Sequence, residues 1–237
     1  MSLMFGQNYI NILASERDSF IYRIISLRQL FDLFAGEANV LVKPSKWQDP
    51  FENFILRADR VYGQCWTLQA ASDAMWRIYS PNADAVRIRS TVRRLLESLN
   101  EDRGSTAHTE AFIGRVRYLD SQKLMSYAKT IHGKAHRDPA VLASTLLVKR
   151  PAFKHEREVR LVLVPQVSHD NESDLFSYRV NPRQLIDQIM IDPRVSASKA
   201  ISVKARIRRM TNFSGAIKRS LIYAPPPNLT TVMLEPR

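Results

Sequence analysis

The sequence predicts an α+β fold, in which a single domain contains a mixed, mostly antiparallel sheet with flanking helices. Segments typical of strands alternate with segments typical of helices along most of the 237 residues. Several successive strand segments lie too close together for the crossover, usually a helix, that parallel pairing needs. No repeat, linker or change in composition divides the chain, and a chain of this length can bury one large core.

Three regions are expected along the chain. Residues 1–19 form an N-terminal lead-in, residues 20–223 form the α+β domain, and residues 224–237 form a Pro-rich extended tail. The tail is expected to be extended because three successive prolines, at 225–227, favour the polyproline conformation.

The first half of the domain is predicted to alternate four strands with three helices. Runs rich in Ile, Val, Tyr and Phe favour strands, and apolar residues three or four apart favour helices. Gly36 is expected to end the first helix, and Asp49-Pro50 to form a turn. Ser72 and Ser90 are expected to cap the next two helices. The predicted strands cover residues 20–26, 39–43, 61–67 and 85–89. The predicted helices cover residues 27–35, a segment after Ser72 with Met75, Trp76 and Tyr79 on one face, and residues 91–99.

The second half is predicted to contain five strands and three helices. The strongest strand prediction is the Val- and Leu-rich segment that ends at Pro165. Polar segments at 100–110 and 133–139 are expected to be a loop and a hinge. The predicted strands cover residues 112–118, 156–165, 175–180, 186–191 and 216–222. The predicted helices cover residues 121–131, 138–149 and 196–210.

The charge of the chain is its main compositional anomaly. It carries 35 basic and 23 acidic residues, for a formal net charge of +12. Such a surface attracts polyanions, which include nucleic acid, dinucleotides and acidic proteins. The alternative is a solvated basic surface without a specific partner.

The single cysteine and the hydropathy pattern indicate where the protein works. Cys65 excludes an internal disulfide framework and a cysteine-rich zinc site. Its neighbours are typical of a strand, so a buried thiol is expected rather than a nucleophile. No run approaches the roughly 20 apolar residues of a membrane span, and no signal peptide is recognisable. A cytoplasmic protein without a membrane partner is expected.

Several common catalytic motifs are absent. The seven glycines are too far apart for the glycine-rich loops that hold phosphates. The phosphates of a nucleotide would therefore have to be held by side chains, above all arginines. His132 and His136, followed by Asp138, could form a metal pair or a nuclease site. A polar surface turn is the alternative, and no metal is expected.

Glu156, Glu158 and Arg160 begin the strongest predicted strand. Residues two apart in a strand share a face, so these three side chains are expected to line up. Charged groups that enter an apolar strand are costly unless they are paired or exposed. The pattern fits either a site at the mouth of the strand or a solvated strand end with a Glu–Arg pair.

Two more polar residues occur in predicted strands. Arg23 interrupts the apolar run at 20–26, where it can serve as an anion clamp or can reach water from an edge strand. Thr67 closes the strand at 61–67, and its hydroxyl can order a neighbouring charged side chain.

Several segments resemble, in order, a bacterial domain family known only as unknown-function family 2971. The most specific are the Trp-x-Asp-Pro-Phe-Glu motif at 47–52 and the Ala-Met-Trp motif at 74–76. The resemblance covers roughly residues 20–222 and implies a family without an established activity. The segments that carry it are 22–23, 44–52, 65–67, 74–80, 85–88, 116–118, 153–160 and 219–221.

A more distant resemblance is to ADP-ribosyltransferases of the Arg–Ser/Thr–Glu type. Those enzymes carry an arginine on an early strand, a Ser or Thr on a later strand and an E-x-E pair at the start of a still later one. Arg23, Thr67 and Glu156-x-Glu158 match these elements in the same order. The usual Ser-Thr-Ser run is absent, and Thr67 alone stands in for it.

This second resemblance implies that NAD is the substrate. Nicotinamide in NAD is already a cationic leaving group, so breaking its glycosidic bond needs a carboxylate that stabilises the oxocarbenium-like sugar. Glu158 is implied to be this carboxylate, and Glu156 to deprotonate or orient the acceptor. Arg23 would grip the phosphates or the ribose, and Thr67 would brace the pocket.

Three aromatic residues, Trp47, Trp76 and Tyr79, could stack on rings of the ligand or could belong to the core. Trp47 lies in a polar loop, where both roles stay open. Tyr79 shares its predicted helix face with Trp76, and aromatic residues at helical spacing are more often part of the core.

Three functions stay open at this point. The first is an NAD-dependent ADP-ribosyltransferase or NAD glycohydrolase, which would suit a bacterial toxin or defence effector with a neutralising partner protein. The second is a non-catalytic nucleic-acid-binding protein with a basic surface. The third is a metal-dependent nuclease.

Overall fold

The computed structural model describes residues 8–47, 49, 61–102, 109–131, 138–165 and 173–224. The strands are β1 (Tyr9–Ile10), β2 (Phe20–Ser26), β3 (Ala38–Val42), β4 (Tyr62–Thr67), β5 (Ala85–Thr91), β6 (Thr109–Arg115), β7 (Arg117–Tyr118), β8 (Val148–Lys149), β9 (Glu158–Pro165), β10 (Leu175–Arg179), β11 (Gln188–Ile191) and β12 (Ala216–Arg219). The helices are α1 (Leu27–Gly36), α2 (Asp73–Tyr79), α3 (Val92–Glu101), α4 (Ser121–Ile131), α5 (Pro139–Thr145), α6 (Pro182–Leu185) and α7 (Ala197–Thr211).

Ten of these strands form one open sheet, and β7 and β8 form a separate two-stranded sheet. The main path through the large sheet is β1-β6-β9-β4-β2-β5-β11-β12, and β3 joins β4 to β10. Only β1–β6 and β11–β12 pair in parallel within it. The predicted α+β class with a mixed, mostly antiparallel sheet is therefore confirmed.

The sheet branches at β4, and this branch creates the candidate site. On one side β4 pairs with β9 along its whole length, from Tyr62 to Thr67. On its other side β4 pairs with β2 only at Tyr22↔Thr67 and with β3 only at Val42↔Gly63. The strands β2 and β3 thus diverge from opposite ends of the same edge of β4, and a gap opens between them.

The hydrophobic core explains why β9 gave the clearest strand signal. Val159, Leu161 and Leu163 point into the main cluster, which also contains residues of α1, α3 and α7. Val162 and Val164 point to the other face, into a smaller cluster with α5. A strand that is buried on both faces appears in sequence as a continuous apolar run.

Two helix ends differ from their predictions. Gly36 is the last helical residue of α1, and the left-handed conformation belongs to Glu37, with φ 46°. The cap of α3 is Thr91, whose hydroxyl accepts a hydrogen bond from the Arg94 amide, and not Ser90. Ser90 remains in β5 because it pairs with Ile21 of β2.

Three segments differ more strongly from the sequence prediction. The helix predicted to reach residue 149 ends at Thr145, and Lys149 lies in β8. The strand predicted over 156–165 begins at Glu158, because Pro151–Glu156 is a 3₁₀ helix and Arg157 is left-handed, with φ 44°. The strand predicted over 112–118 is divided at Val116 into β6 and β7.

Some predictions fall outside the described residues. They include Pro50 of the predicted turn, His132 and His136 of the possible metal pair, and the proline tail from residue 225. Within the part of the chain that the structure describes, no group of three or more His, Cys, Asp or Glu residues is placed to hold a metal ion. No helix in that part is long and apolar enough to cross a bilayer.

Candidate active site

A cavity of about 270 Å³ lies in the gap where β2 and β3 diverge from β4. Its volume is just below the range of about 300–1,000 Å³ that small-molecule sites usually have. Every site residue predicted from the sequence lines this cavity, namely Arg23, Trp47, Thr67, Tyr79, Glu156 and Glu158. The chain segments that carry them are far apart in sequence, so tertiary structure brings these residues together.

Register places Thr67 and Glu158 side by side. Tyr22 of β2 pairs with Thr67 of β4, and Thr67 pairs with Glu158 of β9, so the three residues form one row across the sheet. The Thr67 hydroxyl donates to the backbone carbonyl of Glu156 and accepts from the Gln69 amide at 2.9 Å. Thr67 therefore holds the backbone that carries Glu156.

Glu158 and Arg160 share a face of β9, as predicted. The Arg160 Nε donates to the Glu158 Oε2 at 2.6 Å, and both side chains are almost fully buried. The prediction that Glu156 lies on the same strand face is wrong, because the left-handed Arg157 separates it from β9. Glu156 enters the cavity from the 3₁₀ helix instead.

Lys149 joins the two carboxylates and was not among the predicted site residues. Its Nζ donates to the Glu156 Oε2 and to the Glu158 Oε1, each at 2.6 Å. Its side chain is only 7% exposed and lies against the Phe153 ring, 4.4 Å from the ring centroid. The signal in the sequence was a lysine that directly follows the apolar run Leu146-Leu147-Val148.

The two carboxyl groups differ in charge. The pKa of Glu156 is raised to about 7, mainly by burial and next by the nearby Glu158, while Lys149 acts in the opposite direction. Burial would also raise the pKa of Glu158, but the charge of Arg160, the hydrogen bond to Glu156 and Lys149 together hold it well below its usual range. At neutral pH Glu158 is ionised while Glu156 exchanges its proton.

Strand β2 lies between β5 and β4 rather than at an edge of the sheet, and Arg23, which pairs with Ile88 of β5, faces the gap that opens beside β4. The interpretation as an edge-strand arginine is therefore wrong. Burial lowers the pKa of Arg23. Among the described residues its guanidinium has no carboxylate partner, although it lines the same cavity as Glu158. A cation in this position is suited to an anionic ligand.

The aromatic residues divide into positions that line the cavity and positions in the core. Trp47 stacks under Arg160, with the guanidinium carbon 4.5 Å from the ring centroid. Tyr79 is 43% exposed, and its hydroxyl donates to the Glu156 Oε1 at 3.1 Å. Trp76 is 1% exposed and belongs to the core. Cys65, expected to be a buried thiol, is half-buried and lines the cavity.

Comparison with known proteins supports the family resemblance. A family model described as "Protein of unknown function (DUF2971)" matches residues 75–161. The predicted resemblance to this family is confirmed. The matched segment runs from α2 to the middle of β9 and contains Tyr79, Lys149 and both glutamates of the cavity. No curated protein matches the chain.

Among solved structures, similarity is found to Thermus sp. 2.9 DarT in complex with NAD+, with 10% identity and a TM-score of 0.42. The alignment covers 86% of this chain and 96% of that chain. Thermus sp. 2.9 DarT in complex with ADP-ribosylated ssDNA has 9% identity and a TM-score of 0.41, over 89% of this chain and 97% of that chain. At these identities and TM-scores the similarity assigns neither a fold nor an activity to this chain.

The cavity thus combines an ionised carboxylate, a carboxyl group that titrates near neutral pH, and an arginine without a carboxylate partner among the described residues. An ionised carboxylate can stabilise a developing cation. A carboxyl group with a pKa near 7 can accept a proton from a substrate at neutral pH. The arginine can bind a phosphate group.

Proposed function

We propose that this chain cleaves the bond between nicotinamide and ribose in NAD and transfers the ADP-ribosyl group to an acceptor or to water. It would then be an ADP-ribosyltransferase or an NAD glycohydrolase. The observation that carries the proposal is the convergence of Arg23, Thr67, Glu156 and Glu158 on one cavity at the branch of the sheet. The motif order that resembles the Arg–Ser/Thr–Glu enzymes supports it.

In this proposal Glu158 stabilises the positive charge that develops on the ribose as nicotinamide leaves. Its two oxygens already accept hydrogen bonds from Lys149 and Arg160. An ionised carboxylate has about four acceptor positions, so it can also accept a hydrogen bond from a ribose hydroxyl. The nicotinamide leaves as a neutral molecule, so a strong general acid is not required.

Glu156 acts as the base for the acceptor. Its pKa of about 7 leaves a large fraction ionised at neutral pH, and the same group can take up the proton that the acceptor loses. The hydroxyl of Tyr79 holds the second oxygen of Glu156 at 3.1 Å and fixes its orientation.

Arg23 holds the pyrophosphate or the ribose of NAD, and Trp47 and Tyr79 stack on its rings. The chain has no glycine-rich loop that could hold the phosphates through backbone amides. Arg23 lines the cavity, and Lys149 and Arg160 offset the negative charge of the two glutamates, which suits an anionic dinucleotide.

The decisive experiment compares NAD consumption by the wild type with that of two variants. Glu158→Gln should lower kcat/KM by about 100-fold or more, because the charge that stabilises the transition state is lost. Arg23→Met should mainly raise KM and should fold at least as stably, because it removes a half-buried cation that has no carboxylate partner among the described residues.

Glu101→Gln on the exposed end of α3 is the matched control and should leave the kinetics unchanged. Urea unfolding of each variant separates a loss of chemistry from a loss of structure. Intact NAD after long incubation of the folded wild type with nucleic-acid and protein acceptors would refute the proposal.

We also propose that such an activity serves as a toxin or defence effector in the bacterial cytoplasm, restrained by a neutralising partner protein. Depletion of NAD or modification of an essential acceptor would arrest growth. Expression of the wild type, but not of Glu158→Gln, should therefore stop bacterial growth. Equal growth of the two strains would contradict this role.

A second candidate function is binding of nucleic acid. Residues 193–224 contain no Asp or Glu, and most of α7 is exposed to solvent. The basic residues of this segment form the surface that we call the α7 face, and they are Arg194, Lys199, Lys204, Arg206, Arg208, Arg209, Lys218 and Arg219. This face would dock the phosphate backbone of a nucleic acid, either as the acceptor or as the only ligand.

A further inference from the structure

Lys149 lies within the carboxylate pair and not beside it. Its Nζ is 2.6 Å from one oxygen of Glu156 and 2.6 Å from one oxygen of Glu158. All three side chains are less than a tenth exposed. A buried lysine that contacts both carboxylates reduces the repulsion that would otherwise arise between them.

The small second sheet fixes the position of this lysine. Strand β8 pairs in parallel with β7, and the Leu119 amide donates to the Lys149 carbonyl at 2.9 Å. The hydroxyl of Tyr118, in β7, accepts a hydrogen bond from the Glu158 amide at 2.9 Å. The backbones that carry Lys149 and Glu158 are thus both held by residues 117–119.

The two carboxylates have unequal further partners. Glu158 accepts a hydrogen bond from the Arg160 guanidinium at 2.6 Å. Glu156 accepts instead from the neutral hydroxyl of Tyr79 at 3.1 Å. Since Glu158 contacts two cations and Glu156 contacts one, the proton that the pair exchanges belongs on Glu156.

We infer that Lys149 is a positioning residue that keeps Glu158 ionised and allows Glu156 to release its proton near neutral pH. This inference rests on the proposed function, in which Glu158 is the electrostatic group and Glu156 is the base. In the transfer step the bond between ribose C1′ and the nicotinamide nitrogen breaks, and its electron pair neutralises the ring. A bond from C1′ to the acceptor forms, and the proton of the acceptor moves to Glu156.

The groups that face Glu156 define what the loss of Lys149 would do. Besides Lys149 they are Glu158 of β9, Tyr79 of α2 and Tyr118 of β7. Burial raises the pKa of both tyrosines, so they stay protonated. Without Lys149, Arg160 would be the only cation among the described residues in contact with the pair, and Glu156 would hold its proton to a higher pH.

The pH profile of NAD consumption tests this role. In the wild type, activity should rise as Glu156 ionises around pH 7. In Lys149→Met the rise should move up by at least one pH unit, which is about a fivefold loss or more at pH 7 that recovers towards pH 9. Lys149→Arg should keep the wild-type profile. A loss of equal size at every pH would show a purely structural role and would overturn the inference.

A second measurement does not depend on activity. Carboxyl ¹³C NMR of glutamate-labelled protein should show one carboxyl group that titrates near pH 7, absent in Glu156→Gln and shifted upward in Lys149→Met. If Glu158 titrates in this range instead, or if the pH of the titration is the same in the wild type and in Lys149→Met, the inference fails even when NAD is consumed. If the titration behaves as described but NAD is untouched, the proposed function fails alone.

Discussion

At the scale of single residues, the cavity contains two carboxyl groups that are chemically identical but electrostatically different. Glu158 contacts Lys149 and Arg160, whereas Glu156 contacts Lys149 and Tyr79. The sequence indicated both glutamates and a charge pair on β9. It did not indicate Lys149, because a lysine after an apolar run is usually the solvated end of an element.

The same difference predicts how stability depends on pH. In the folded protein the pKa of Glu156 is about 7, so Glu156 holds its proton to a higher pH than it does in the unfolded chain. The free energy of unfolding therefore falls as the pH rises from about 4.5 to 7. Glu156→Gln should remove this decline and should raise the free energy of unfolding at pH 8 by about 1–2 kcal/mol. The gain is smaller than for a fully buried carboxylate, because Glu156 borders an open cavity.

The contrasting variant is Glu158→Gln. The pKa of Glu158 is depressed in the folded state, so its stabilisation is present above about pH 4.5 and is lost as the pH falls. The variant removes the buried charge that accepts a hydrogen bond from Arg160, and at pH 8 it should be less stable by about 3–5 kcal/mol. Urea unfolding between pH 4 and 8 measures both effects. A steep decline that persists in Glu156→Gln would contradict the assignment.

At the scale of secondary structure elements, the site exists because the edge of β4 that faces β2 and β3 is paired only near its two ends. Its central residues pair with β9 only, and Gly63 at one end of the gap leaves room for Trp47. A Cβ atom at Gly63 would lie 2.7 Å from the Trp47 Cζ2 and 3.5 Å from the Leu161 carbonyl oxygen. Trp47 would have to move, and its stack on Arg160 would loosen.

Gly63→Ala should therefore lower stability by about 1–3 kcal/mol and weaken NAD binding through the displaced Trp47. The matched control is Gly36→Ala at the end of α1, where the nearest atom to an added Cβ is 4.0 Å away. That variant should be neutral or more stable by about 0.5–1 kcal/mol. Thermal unfolding and tryptophan fluorescence measure the difference, and equal behaviour of the two variants would contradict the packing described for Trp47.

The elements whose boundaries were mispredicted surround the same site. No local signal indicates that the helix predicted over 138–149 ends at Thr145, because β8 forms by pairing with β7. The late start of β9 depends on the left-handed Arg157, and a non-glycine residue in that conformation is not foreseen from sequence. Long apolar segments such as β2 and β9 were predicted well, since burial leaves a clear pattern.

At the scale of the whole molecule, charge is distributed unevenly. The α7 face lies on β11 and β12, at the end of the sheet away from β9, while the cavity lies at the branch between β2 and β4. Binding of a polyanion there and chemistry in the cavity can therefore be tested separately.

Binding to single-stranded and duplex DNA and RNA should weaken with salt, with a slope set by the number of phosphates contacted. The double variant Lys204→Glu, Arg209→Glu should weaken binding and reduce the log–log slope by about 2. The control Lys123→Glu, Lys129→Glu on α4 changes the net charge equally and should bind like the wild type. Equal losses of affinity in the two double variants would show that net charge, and not the α7 face, causes the binding. Binding that does not depend on salt would exclude the α7 face as a phosphate site.

Local sequence patterns were enough to predict the fold class, most strands and helices, the basic charge of the protein and the residue types of the candidate site. They were enough because the periodicity of burial and the chemistry of each residue are local properties. Tertiary structure decided that β2 and β3 leave β4 from opposite ends, that Arg23 lies in mid-sheet, and that Lys149 bridges Glu156 and Glu158. These features depend on strand pairing between distant segments, and the charge of each carboxyl group depends in turn on the neighbours that this pairing supplies.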